Sequence, residues 1–171
     1  MHGVFGLGSC VFLNKLYYFF GGLGFDRKLQ VRVCSSQVIE FDPESRSYTP
    51  IQLWHKPERL LTERRYVSTL LVGEKLLCLG GINKHGYGLS DLICINMITK
   101  QWYEMKVLNH EEEGPGCLYS AAMCLVAYKE RDLLAIDLLS EIKWNLVSQE
   151  IAQEGIYVFG GIKGMNPNTS I

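Results

Sequence analysis

Three short apolar runs along the chain end in the same way. Leu16-Tyr17-Tyr18-Phe19-Phe20, Lys75-Leu76-Leu77-Cys78-Leu79 and Gly155-Ile156-Tyr157-Val158-Phe159 each stop at a double glycine, at Gly21-Gly22, Gly80-Gly81 and Gly160-Gly161. Five residues are too few to display a helical period. Their aromatic and β-branched members and the abrupt glycine stop fit a buried strand followed by a sharp backbone exit. A further apolar run, Gly8 to Leu13, precedes the first of them across Asn14-Lys15, and the two together predict a pair of strands joined by a turn. The polar pair at Asn14-Lys15 and the glycines at 21, 22 and 24 also break residues 7 to 25 as a membrane span, which needs ~20 apolar residues.

A second element follows the first two runs. Val38-Ile39-Glu40-Phe41-Asp42 leads through a polar turn to Tyr48, and Leu92-Ile93-Cys94-Ile95-Asn96 leads to Trp102, with 7 residues from Phe41 to Tyr48 and 7 from Ile95 to Trp102. Leu133-Leu134-Ala135-Ile136-Asp137 leads to Trp144 over an interval of 8. The aromatic markers are 54 and 42 residues apart, which brackets a repeat period near ~50.

These runs, with Arg64-Arg65-Tyr66-Val67-Ser68 ahead of Thr69-Leu70-Leu71-Val72, resemble kelch repeats. Tyr66 or Val67 stands where such an Arg-x-x-His-Ser approach usually has His, and Gly116-Cys117-Leu118-Tyr119-Ser120 keeps less of the pattern. The resemblance implies an all-β fold, a kelch-type β-propeller in which each repeat is one four-stranded blade. On this reading the kelch-repeat region is 4–171, with units at about 4–53 and 66–108, a degenerate unit at 115–148 that lacks a strand and its double glycine, and a partial unit at 154–171. A closed ring takes ~4 to 8 blades. About three units plus a partial fourth leave the ring incomplete, so the expectation is a portion of a longer propeller, with self-association as the other way to close it. Tyr48, Trp102 and Trp144 are expected to pack between blades.

Composition narrows the function. The 171 residues carry 17 Lys plus Arg against 18 Asp plus Glu, a net charge of -1, and a neutral chain has no electrostatic footprint for nucleic acid. No positive n-region or small-residue cleavage site marks a secretory signal, so a cytoplasmic location is expected and the Asn168-Thr169-Ser170 sequon carries no weight. The six cysteines form no Cys-x-x-Cys pair and sit mainly in apolar runs, and the four histidines are scattered, so buried free thiols and no metal are expected. The glycines lack dinucleotide or P-loop spacing, so no cofactor is expected. Ser9, Ser68 and Ser120 are not in a nucleophile elbow. Asp42 and Asp91 stand where an Asp commonly caps its own backbone.

The charged stretch from His55 to Arg65 reads as an exposed connection whose Arg64 and Arg65 could meet an acidic partner. Arg27 and Lys28 after the first double glycine, and Lys84, His85 and Tyr87 after the second, fall in loops behind rigid strands, where function concentrates. The kelch resemblance implies a non-catalytic module that binds another protein through such loops on one face, without membrane or nucleic acid. An enzyme acting on a small molecule at the channel mouth is the alternative.

Overall fold

Alternating apolar residues in short runs, punctuated by glycines, give strands throughout the computed structural model, which describes residues 4–12, 16–55, 60–108, 116–126, 141–143 and 155–163. No helix occurs among the described residues. The first sheet is β1 (Gly8–Phe12), β2 (Leu16–Phe20), β5 (Val38–Asp42) and β6 (Ser47–Ile51), antiparallel in the order β1-β2-β5-β6. Between β2 and β5 stands a separate hairpin of β3 (Leu23–Asp26) and β4 (Val31–Cys34). The second sheet repeats the plan with β7 (Ser68–Val72), β8 (Lys75–Leu79), β9 (Leu92–Asn96) and β10 (Trp102–Leu108). Within each of these two sheets, four successive antiparallel strands form one ladder.

Matching turns close the two blades. Asp42 Oδ1 accepts from the Glu44 N–H at 2.9 Å, and Asn96 Oδ1 accepts from the Ile98 and Thr99 N–H groups at 2.9 and 2.8 Å. Arg46 and Lys100, four residues on, then turn left-handed at φ 54° and 62°.

The third blade is assembled differently from the sequence expectation. β11 (Leu118–Val126) pairs antiparallel with β13 (Gly155–Lys163), so segments assigned to successive units at 115–148 and 154–171 share one sheet. The strand and double glycine missing from the degenerate unit come from the segment read as a partial fourth unit. Gly160 and Gly161 also do not end their strand, because the ladder continues to Tyr119↔Ile162 and Leu118↔Lys163. β12 (Glu141–Lys143) lies apart from β11 and adds in parallel to the outer edge of β10. Trp144 lies outside the described residues.

The faces of the sheets form two cores. Phe12, Tyr18, Phe20 and Val38 of the first blade pack against Leu76, Cys78, Ile93, Ile95 and Trp102 of the second. The opposite face of the second blade, with Leu77, Leu79, Leu92, Cys94 and Met105, meets Met123 and Leu125 of β11 and Ile156 and Val158 of β13. Period-two alternation therefore decides which neighbour each residue packs on.

Candidate functional site

The first two double glycines lie where one blade meets the next, and the third lies within the β11–β13 ladder. In each sheet the residue after the pair bridges to the residue ahead of a left-handed one: Leu23 to Phe5, Ile82 to Arg65, and Ile162 to Tyr119. Gly6, Tyr66 and Ser120 are those left-handed residues, at φ 66°, 55° and 55°. The same bond then crosses each junction. Gly22 N–H donates to Arg64 O at 2.8 Å, and Gly81 N–H donates to Leu118 O at 2.9 Å. A second series runs alongside, with Tyr66 N–H donating to Gly6 O and Ser120 N–H to Tyr66 O. A Cβ at Gly21 would strike Arg64 O and one at Gly80 would strike Leu118 O, so glycine is required by the approach of the next blade as well as by φ of 70° and 61°.

Arg64 reinforces the first junction. Its backbone N–H donates to Ser35 O at 2.9 Å. Its guanidinium holds Asp91 in two bonds of 2.8 Å and donates to Gly80 O at 3.1 Å and Thr62 O at 3.2 Å. The side chain is 0% exposed, against 21% for Asp91. Two expectations are corrected by this geometry: Arg64 cannot meet a partner, and the Asp91 carboxylate serves Arg64 rather than its own backbone. A fixed planar fork is what lets one arginine take this many acceptors.

Antiparallel pairing brings the remaining loop residues to one end of the sheets. The connections 21–37 and 80–91 and the approach at 62–67 all leave from that end, whereas the turns 43–46 and 97–100 leave from the other. Arg27, Lys28, Lys84, His85 and Tyr87 are exposed there. The loop after Gly81 is pre-shaped, since Asn83 Oδ1 accepts from the His85 and Tyr87 N–H groups at 2.9 and 3.1 Å. Lys84 pairs with Glu63 at 3.5 Å across an exposed gap, a contact worth little in water.

Sequence reasoning missed the aromatic group beside the glycine junctions. Phe5 and Tyr66 have ring centres 6.2 Å apart, as do Tyr66 and Tyr119, and the Arg65 guanidinium lies 5.9 Å from the Tyr66 ring. Arg65 Nε is shielded from solvent without a hydrogen-bond partner among the described residues. Superimposing the three approaches, Val4 to Gly8, Arg64 to Ser68 and Leu118 to Ala122, would have revealed these positions. Beneath them, burial pushes the Cys34 thiol up from its ordinary range, with Arg65 opposing the shift.

Of the aromatic markers, Trp102 is 3% exposed in the core shared by the first two blades, and its ring lies tilted against His55 with centres 4.5 Å apart. Tyr48 does not join the core between the first two blades. It is 51% exposed and stacks on Phe41 at 4.6 Å, on the face of the first blade turned away from the second. Among the described residues, no cluster of three His, Cys, Asp or Glu side chains could hold a metal ion.

The Kelch motif profile matches residues 63–106, which hold the whole of β7–β9 and most of β10. No curated protein matches the chain. Among solved structures, that of YjhT is similar over 69% of this chain with a TM-score of 0.53 at 15% identity. The chain spans 40% of the length of YjhT. With a Kelch motif in the second blade and its junction geometry repeated on both sides, the all-β arrangement fits part of a kelch-type β-propeller.

Proposed function

We propose that this chain is a non-catalytic protein-interaction module that binds a partner through the loops gathered at one end of its blades. The observation that carries the reading is the grouping of exposed Phe5 with half-buried Tyr66, Tyr119 and Arg65 at the end of the blades that also bears the loops of Arg27-Lys28 and Lys84–Tyr87, all on a frame fixed by the glycine junctions. Aromatic rings and arginine on a rigid base are the side chains that dominate binding energy at protein interfaces. A net charge of -1 gives nucleic acid or an acidic membrane no general attraction, so a protein partner suits the surface better. The cytoplasm suits its six cysteines, which include exposed Cys124.

Two sheet faces bear on the rest of the assembly. Val11, Ile39, Phe41 and Tyr48 on the first blade, and Tyr157 and Phe159 on the third, stand opposite the faces that form the two cores. By repetition of the blade plan, each fits another blade, supplied by a longer parent chain or a second copy.

Photo-cross-linking tests the interaction reading. Benzoylphenylalanine replaces Phe5 in one chain and Ile98, on an exposed turn at the opposite end, in another. A discrete protein adduct from position 5 that is absent from position 98 is expected. Adducts of equal yield from both positions, or from 98 alone, would overturn the assignment of the face.

A further inference from the structure

The β3–β4 hairpin carries more exposed apolar surface than a two-stranded ribbon can use. Leu23 and Cys34 bury its base, while Phe25, Leu29, Val31 and Val33 are exposed. Val31 and Val33 point to one side of β4, opposite Asp26 and Gly24, and form an uncovered β-branched stripe. An isolated hairpin is at best marginally stable, and a third strand beside it adds same-face neighbours for such a stripe. Among the described residues β4 pairs with β3 alone.

The backbone on the open side is available in a definite register. Ser35 N–H donates to Gly22 O at 2.9 Å across the base. Antiparallel ladders alternate bonded and non-bonded pairs, so Gly24–Val33 and Asp26–Val31 are the bonded ones. The N–H and C=O of Arg32 therefore point outward. On the other strand the same alternation turns Leu23 toward Phe5, and those two residues exchange bonds of 2.9 and 3.2 Å, which confirms the register.

Charge selects the occupant. Leu23–Cys34 holds Arg27, Lys28 and Arg32 against one acid, Asp26, for a segment charge of +2 in a chain of net charge -1. Asp26 is occupied within the turn, where its Oδ1 accepts from the Lys28 and Leu29 N–H groups at 2.8 and 3.1 Å. Exposed basic residues on an edge strand also deter pairing with copies of itself, which leaves an oppositely charged strand as the favoured guest.

We infer that β4 is a docking edge for an acidic, extended peptide segment of a partner protein, which adds as a third strand with apolar residues beside Val31 and Val33 on the same face and carboxylates toward Arg32, Arg27 and Lys28. Main-chain bonds supply affinity in this mode and alternate side chains supply specificity. The inference rests on the interaction reading above and names one site within it.

Fluorescence anisotropy on the full chain tests it with a labelled probe of about eight alternating Glu and Val residues. A second probe has Pro at alternate positions, and a third has Lys in place of Glu. Saturable binding of the first, weakened by salt, is expected, with the other two weaker by about tenfold or more. Arg32→Pro deletes the outward N–H at an edge position where proline is tolerated, and should weaken binding about fivefold to tenfold beyond Arg32→Ala. The turn variant Arg27→Glu/Lys28→Glu, remote from any buried contact, should lose binding without loss of folding. Equal binding of the proline probe, or equal affinity of Arg32→Pro and Arg32→Ala chains, overturns the inference. If the acidic probe fails while the adduct at position 5 persists, the docking edge is wrong and the interaction reading stands; loss of both removes the reading itself.

Discussion

The buried pair of Arg64 and Asp91 gives an asymmetric prediction. Arg64→Met removes two charge-assisted bonds to Asp91 and two bonds to the carbonyls of Gly80 and Thr62, while its apolar stem is largely replaced. Asp91 then stands unpaired, but its side chain is 21% exposed and can recruit water. Asp91→Ala leaves the opposite remnant, a guanidinium with 0% exposure and two charge-assisted bonds gone. Removing one partner of a buried pair costs about 3–5 kcal/mol, mostly through the charge left behind. Asp91→Ala therefore belongs near the top of that range, and Arg64→Met, whose stranded carboxylate reaches solvent, near about 2–3 kcal/mol. The double variant Arg64→Met/Asp91→Leu should recover part of both losses, with a coupling of about 1–3 kcal/mol. Urea unfolding followed by tryptophan fluorescence, with the slope checked for constancy, reads these differences. The reasoning fails if Arg64→Met is the more damaging single change, or if either single change costs less than about 1 kcal/mol.

Three further outcomes follow from the junctions and cores. Gly80→Ala, whose Cβ would strike Leu118 O at φ 61°, should cost several times more than Gly73→Ala, which at φ 55° meets nothing within 4 Å and should lose only about 1–2 kcal/mol in thermal melts. Trp102→Ala should cost about 3–5 kcal/mol and Tyr48→Ala less than about 1 kcal/mol in the same melts, although both hold the marker position of their repeats. Burial pushes the Cys10 thiol up from 9.0 to about 11, so the folded chain keeps its proton where the unfolded chain loses it. That contribution is fully present below pH 9.0 and is lost as pH rises through about 11, so Cys10→Ser should flatten the alkaline fall in stability measured across this window.

The first two blades were legible because all their cues are local. An apolar run, a double glycine, and an aromatic 7 residues beyond the last apolar residue of the next run recur within one period. The third was not, because residues 127–154 separate β11 from the partner that brings Gly160-Gly161, and a period search reads sequence neighbours rather than sheet neighbours. Arg64 looked like surface because it sits in a charged run. Its burial depends on Asp91, 27 residues away, which no local pattern announces. Tyr48 and Trp102 share a spacing yet differ in exposure, since burial depends on a neighbouring blade and not on the strand itself. The β3–β4 hairpin showed its alternation in Val31-Arg32-Val33, but its place behind a double glycine made it read as loop.

The central claim is that the second glycine of each of the first two pairs is the donor that ties its blade to the next. Hydrogen-bond scalar coupling by NMR on the deuterated, isotope-labelled chain observes this directly, as correlations from Gly22 N to the Arg64 carbonyl carbon and from Gly81 N to that of Leu118. The account predicts both, with slow amide exchange at Gly22 and Gly81. Rapid exchange at the two glycines, or coupling to other carbonyls, would contradict it.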